Sequence, residues 1–209
     1  METISHFFNF WFKQYQGYST LDLYLELIAV FFGLLSVWFS KKNNILVFPT
    51  GIISTVLFVY LLYKWRLLGD MLINVYYFVM SIYGWYLWQK KTNGNAKRPI
   101  TYTSKAEWFK AVLIFVFSLI FVSIIYQYNN LFGSIVSYID TITTAIFFSG
   151  MWLMAKKNIE NWIFWIIGDL ISVPLYYYKG FLFTSFQYLV FTIIAFYGYR
   201  AWKNQITDS

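Results

Sequence analysis

Val37-Trp38-Phe39-Ser40-Lys41-Lys42-Asn43 closes one apolar stretch, and Met151-Trp152-Leu153-Met154-Ala155-Lys156-Lys157-Asn158 closes another, roughly 115 residues later. The likeness continues outward from these two passages. P-T-G-I-I-S at 49–54 is followed by Y-K-W at 63–65 and Y-G-W-Y-L-W at 83–88; I-I-G-D-L-I-S at 166–172 is followed by Y-K-G at 178–180 and Y-G-Y-R-A-W at 197–202. An internal repeat in an apolar chain is a mark of transporters, whose substrate site tends to lie at half depth between the copies.

Composition places the chain in a membrane. It is 59% hydrophobic and 12% charged, with 10 Trp, 19 Tyr and 23 Phe among 209 residues. A soluble domain of this length needs more polar surface to cover its core. Seven runs approach the roughly 20 residues that cross the hydrocarbon layer: Leu21–Phe39, Ile45–Tyr63, Gly69–Trp88, Trp108–Tyr126, Ile135–Ala155, Asn161–Tyr178 and Phe181–Trp202. Their length and short joins predict an all-α fold, because a barrel would show short alternating strands. Residues 1–20 lack a basic stretch ahead of an apolar core, so they read as an aromatic segment along the interface and not as a cleavable signal. With zero cysteines, disulfide and thiolate chemistry are excluded.

The net charge of +7 does not point to nucleic acid. Sorted by side, four basic residues (Lys13, Lys64, Arg66, Lys179) fall with the N-terminus and the other twelve fall opposite, among them both Lys-Lys-Asn turns. That bias puts the N-terminus outside and the C-terminus in the cytoplasm.

The organisation follows from parity. Residues 21–89 hold the first three spans and 135–202 the last three; 90–134 hold the basic loop, one connecting span and an outer loop, and 203–209 form a tail. Three spans are odd in number, so a single connecting span lets both copies run the same way. The expected architecture is 3+1+3 with two parallel three-helix repeats.

Within a bilayer the polar or small stripe, not the apolar one, marks the face turned to protein. At 100° per residue, Trp162, Trp165, Asp169, Ser172 and Tyr176 share one narrow arc of span six, with the carboxylate near mid-span. A charge there costs on the order of 2.5–3.5 kcal/mol on insertion scales, so it should face a cavity or a partner. Pro174 removes a backbone donor a turn later. Span three aligns Asp70, Asn74, Tyr77, Ser81, Gly84 and Trp88, and span seven offers Gly180, Thr184, Gln187, Gly198 and Trp202. Small residues such as Gly33, Gly84 and Gly198 read first as packing contacts, acids near span ends as solvated, and Trp or Tyr near ends as interfacial. The Trp162–Trp165–Asp169 face reads as a binding wall.

Other chemistry is missing. His6 is the only histidine, too few for a zinc or iron site of the usual kinds, and no phosphate-cradling glycine loop is present. No cofactor is expected. Paired aromatic faces with amides and an acid suit a flat, polar, possibly cationic solute. The candidate site lacks an intramembrane Arg or Lys to neutralise phosphate, which favours a nucleoside-like molecule over a nucleotide.

N-I-L-V-F-P-T-G-I-I-S-T at 44–55, L-L-G-D-M-L-I-N-V-Y-Y at 67–77, S-I-Y-G-W-Y-L-W at 81–88 and W-I-F-W-I-I-G-D-L-I-S-V-P-L-Y at 162–176 together resemble the PnuC family of bacterial vitamin transporters. The resemblance covers nearly the whole chain after residue 20. It implies a fold like that of the sugar-carrying SWEET proteins, a homotrimer, and facilitated diffusion of nicotinamide riboside through the inner membrane, with a cytoplasmic kinase trapping the product. It also implies binding roles for Trp162, Trp165, Asn74 and Gln187; Asp169 is added from its depth, and Tyr77, Ser172 and Tyr176 from the faces they share. Similar members carry thiamine or riboflavin, so thiamine stands second as cargo. A membrane receptor and an intramembrane enzyme acting on a nucleoside are the rival classes.

Overall fold

The computed structural model describes residues 19–65, 68–90, 98–179 and 182–207. The expected interfacial segment, residues 1–20, lies outside the described residues but for its last two, as does Gly180.

Seven helices make up the described chain: α1 (Thr20–Lys41), α2 (Val47–Lys64), α3 (Leu68–Gln89), α4 (Lys105–Tyr128), α5 (Ile135–Ala155), α6 (Asn161–Tyr178) and α7 (Leu182–Thr207). They fall on the seven apolar runs, with α4 starting three residues earlier and α7 ending five later than read. The starts have local causes. The Ser19 hydroxyl accepts from the Asp22 amide, and Ser104 with Glu107 forms a reciprocal capping box, so orphan donors at both helix starts are satisfied. By length and composition α1, α2, α4 and α5 could each cross a membrane. The inward polar residues named above lie mostly on α3, α6 and α7.

Packing runs round a ring. α1 lies on α2, α2 on α3, α3 on α5, α5 on α6, α6 on α7, and α7 returns to α1. α4 lies outside that ring against α5, touching α3 only briefly.

The two Lys-Lys-Asn turns share one backbone hydrogen-bond pattern. Lys42 N–H donates to Trp38 O, Asn43 to Ser40 O, Asn44 to Phe39 O, Val47 to Asn44 O and Phe48 to Ile45 O. Lys156 donates to Trp152 O, Lys157 to Met154 O, Asn158 to Leu153 O, Asn161 to Asn158 O and Trp162 to Ile159 O. The pairs are 114 residues apart, one fewer than the spacing of the matching letters. Backbone conformation explains the slip: the left-handed position is Asn43 (φ 52°) in one turn and Lys157 (φ 58°) in the other.

Rings on glycines join the helices at this end. A Cβ on Gly84 would lie 2.4 Å from the Phe48 ring, and one on Gly198 would lie 2.6 Å from the Trp162 ring. Only hydrogen fits there. Phe48 meets Trp88 edge-on at 4.9 Å, Trp162 meets Trp202 edge-on at 5.5 Å, and Trp88 meets Trp202 at 6.1 Å across the ring of helices. In lipid, where apolar burial gives no net drive, such close contact is what holds helices together. The Trp202 indole also donates to Ser40 O at 2.9 Å, tying α7 to α1.

Candidate substrate-binding site

α6 turns the expected face inward. Trp162, Asp169 and Ser172 are buried and Trp165 and Tyr176 half-buried, while Ile163, Ile167, Leu170 and Tyr177 face out. A helix that keeps its polar stripe inside satisfies the cost of carrying it in a membrane.

The face then divides. Trp165 and Asp169 enter a ring cluster at mid-height. Trp165 stacks on Phe147 at 5.6 Å and meets Tyr77 edge-on at 6.0 Å. Phe147 stacks on Tyr188 at 6.0 Å, and Tyr188 meets Tyr176 at 5.1 Å. On the other flank Tyr77 meets Phe148 at 6.4 Å, and Phe148 stacks on Tyr76 at 3.9 Å while accepting the Tyr76 hydroxyl at its carbonyl, 2.9 Å away. Four helices, α3, α5, α6 and α7, therefore contribute to one aromatic lining. Asp169 is 3% exposed and lies within electrostatic reach of the Tyr77 and Tyr188 hydroxyls. It makes no ion pair or hydrogen bond to a described residue. The Ser172 hydroxyl, one turn along the same face, is also buried without a partner.

Trp162 goes elsewhere. It stands in the first turn of α6, 1% exposed, wedged on Gly198 and Trp202, with its N–H buried and unpaired. One helical turn separates it from Trp165, and that turn divides a packed seam from the mid-height lining. Asn74 is half-buried and gives its amide to the Asp70 carbonyl of its own helix at 2.9 Å. Gln187 is half-buried on α7, three turns before Gly198 on the same face.

The end of the ring away from the Lys-Lys-Asn turns holds two lysine–aspartate pairs. Lys64 pairs with Asp22 at 2.7 Å and Lys179 pairs with Asp140, so each outer helix corner is pinned by one ion pair. The Lys179 ammonium also sits 4.8 Å from the Tyr176 ring. Acids read as solvated thus prove paired where a lysine from the next helix reaches them.

Rings fill the interior of this structure. A cleft of about 10 Å³, room for about one water, opens between α3, α4 and α5 and is lined by Leu72, Phe121, Tyr126 and Thr144. It does not touch Trp165 or Asp169. Sequence reasoning missed Phe147, Phe148 and Tyr188. The signal was present: Phe147 lies three residues after Thr144, on the same face of α5, and Tyr188 continues the α7 stripe four after Thr184.

Comparison with known proteins places this geometry. Residues 23–204 match the nicotinamide mononucleotide transporter family. The nicotinamide riboside transporter PnuC of Escherichia coli (strain K12) is 23% identical, with 92% of this chain and 90% of that protein aligned. The riboflavin/roseoflavin transporter RibM of Streptomyces davaonensis is 21% identical, over 86% of this chain and 84% of RibM. The crystal structure of the vitamin B3 transporter PnuC matches the fold with a TM-score of 0.67 at 22% identity, covering 90% of this chain and 84% of that one. An all-helical ring with membrane-capable helices and a shared aromatic interior agrees with that family match. The chain belongs to the nicotinamide mononucleotide transporter family and is a multi-pass membrane transporter.

Proposed function

We propose that the chain is a facilitator for nicotinamide riboside, which passes between two three-helix bundles, α1–α3 and α5–α7, joined by α4 in a 3+1+3 arrangement. The observation that carries this reading is the lining of Tyr77, Phe147, Trp165, Tyr176 and Tyr188 around Asp169. Aromatic faces stack on a pyridine ring, and Asp169, Ser172, Asn74 and Gln187 offer hydrogen bonds to ribose hydroxyls and the carboxamide. Lys179, whose ammonium lies 4.8 Å from the Tyr176 ring, is committed to Asp140, which leaves a phosphate without a counter-ion and favours the riboside over the mononucleotide. Four relatives that bear the name nicotinamide riboside transporter support the same choice.

Transport proceeds by alternating access. The Trp88–Trp202 seam closes one end, and the Asp140–Lys179 pair with Tyr176 closes the other. No ATP site or ion site enters, so net uptake is driven by a cytoplasmic kinase that phosphorylates the product. The basic Lys-Lys-Asn end faces the cytoplasm of the inner membrane with the N-terminus outside, and the family resemblance supports a homotrimer. Riboflavin is the second reading, favoured by the likeness to RibM; thiamine, another flat cation, stands behind it.

Purified protein in liposomes tests this. Saturable entry of labelled nicotinamide riboside, without ATP or an ion gradient and uncompeted by the mononucleotide, is the expected outcome. Entry of riboflavin alone, or uptake that follows an imposed ion gradient, would overturn it.

A further inference from the structure

Two of the chain's well-buried or half-buried carboxylates, Asp22 and Asp140, are neutralised by Lys64 and Lys179. Glu107 faces Arg98 at 3.9 Å and accepts from the Asn158 amide, and Glu160 accepts from Thr103. Asp169 departs from this pattern. It is as buried as Asp22, yet no described cation or hydrogen-bond donor reaches it. The corresponding position in the first half, 114 residues earlier, is Thr55, whose hydroxyl is satisfied by Gly51 O at 2.9 Å. One half therefore carries a polar group closed on its own backbone, and the other an acid left open to the interior.

That acid shares the inward face of α6 with Trp165 and Tyr176, which belong to the linked rings of Tyr77, Phe147 and Tyr188, and the Tyr77 and Tyr188 hydroxyls lie in its electrostatic range. A box of aromatic faces with one carboxylate is the chemistry that recognises a delocalised organic cation: the faces attract it through their quadrupoles, and the acid supplies the countercharge in a dry site. Asp22, Glu107, Asp140 and Glu160 each have a hydrogen-bond donor or ion-pair partner among the described residues, whereas the carboxylates of Asp70, near the start of α3, and Asp169 have none; of these two Asp169 is the one that lies at mid-helix and is 3% exposed. Ser172, equally buried and equally unpartnered one turn away, widens the unsatisfied patch toward the same interior.

We infer that Asp169 is the residue that selects the charge of the cargo: it pairs with the positive pyridinium ring of the oxidised riboside and discriminates against uncharged rings of the same shape. This rests on the proposed nicotinamide riboside reading and adds the redox state of the cargo to it. The 1,4-dihydro form of nicotinamide riboside has nearly the same shape, the same ribose and the same carboxamide, but no charge on the ring.

Calorimetric titration of the purified protein with both forms separates the possibilities. The wild type should bind the cationic riboside at least about tenfold more tightly than the dihydro form. Asp169→Asn, which keeps shape and polarity, should weaken the cation by tens of fold and move the dihydro form by less than about threefold, erasing the preference. Should the variant fail to fold, the wild-type preference decides alone. Equal wild-type affinity for the two forms, or an equal loss of both in the variant, would overturn the assignment of Asp169 while leaving the riboside reading intact. Binding of neither form by the wild type would overturn both.

Discussion

The corner from Trp38 to Phe48 and the corner from Trp152 to Trp162 have the same hydrogen bonds, a left-handed residue at the same position and a ring laid on a glycine at matching places. Their surroundings differ. Residues 98–104 cross the second corner only: Thr101 N–H donates to Lys157 O and Thr101 O accepts from Ile159 N–H, Arg98 donates to Lys156 O at 2.8 Å, and Glu160 takes the Thr103 amide. The first corner is tied at its tip by Asn43 to Gln205 at 3.0 Å, an exposed contact. Asn158 is accordingly fully buried and its counterpart Asn44 half-buried.

One turn inward the difference is in bulk. Gly33 faces Ser54 and Gly51 faces Ser36 in the first half, whereas Phe147 fills the space beside Gly168 and Trp165 lies beside Gly150 in the second. These are the same four positions, 114 residues apart, with small–small contacts in one copy and large–small contacts in the other. The two corners share one backbone frame, but Phe147, Phe148, Trp165, Tyr176, Tyr188 and Asp169 come from the second half and only Tyr76 and Tyr77 of α3 from the first. A strapped, ring-bearing half and a plainer, unstrapped half suit a carrier in which one bundle holds the cargo and the other moves across it.

The comparison can be broken at its strongest shared feature. Gly84→Ala and Gly198→Ala each force a methyl into a ring, and each should lower stability by about 3 kcal/mol, read as thermal unfolding in detergent. A large loss in one and none in the other would deny that the two corners are equivalent. The strap sharpens the contrast: Glu160→Gln weakens the hold on Thr103 and should cost about 1–3 kcal/mol by the same measurement. Tyr76→Phe removes one hydroxyl donated to Phe148 O between the halves and should cost about 0.5–1.5 kcal/mol. Gln205→Ala, which removes the tie at the unstrapped corner without touching the left-handed Asn43, should fall within about 0.5 kcal/mol of wild type; an effect matching that of Glu160→Gln would mean the first corner is held as firmly as the second.

The helices were legible in the sequence because long apolar runs have one structural solution in a membrane. The inward face of α6 was legible for the same reason, since Asp169 could not face lipid. The exact match of the halves was not: the letters Lys-Lys-Asn repeat one residue out of step with the backbone, because the left-handed position tolerates Asn43 or Lys157 and the turn's hydrogen bonds, not its letters, set the frame. Nor could the separation of Trp162 from Trp165 be read, because a single arc on a helical wheel carries no depth. Trp162 packs on Gly198 from the neighbouring helix, a contact that exists only once α6 and α7 are docked. Phe147 and Phe148 were hidden among 23 phenylalanines, and only the packing of α5 on α3 and α6 shows which of them face inward.

The central claim is that the mid-height rings, and not the packed seam below them, receive the riboside. Titrating nicotinamide riboside into wild type and Trp165→Ala, with unfolding temperature followed in parallel, tests it most directly. Binding should vanish in Trp165→Ala while the protein stays folded. A folded Trp165→Ala protein that binds as tightly as wild type would contradict the account.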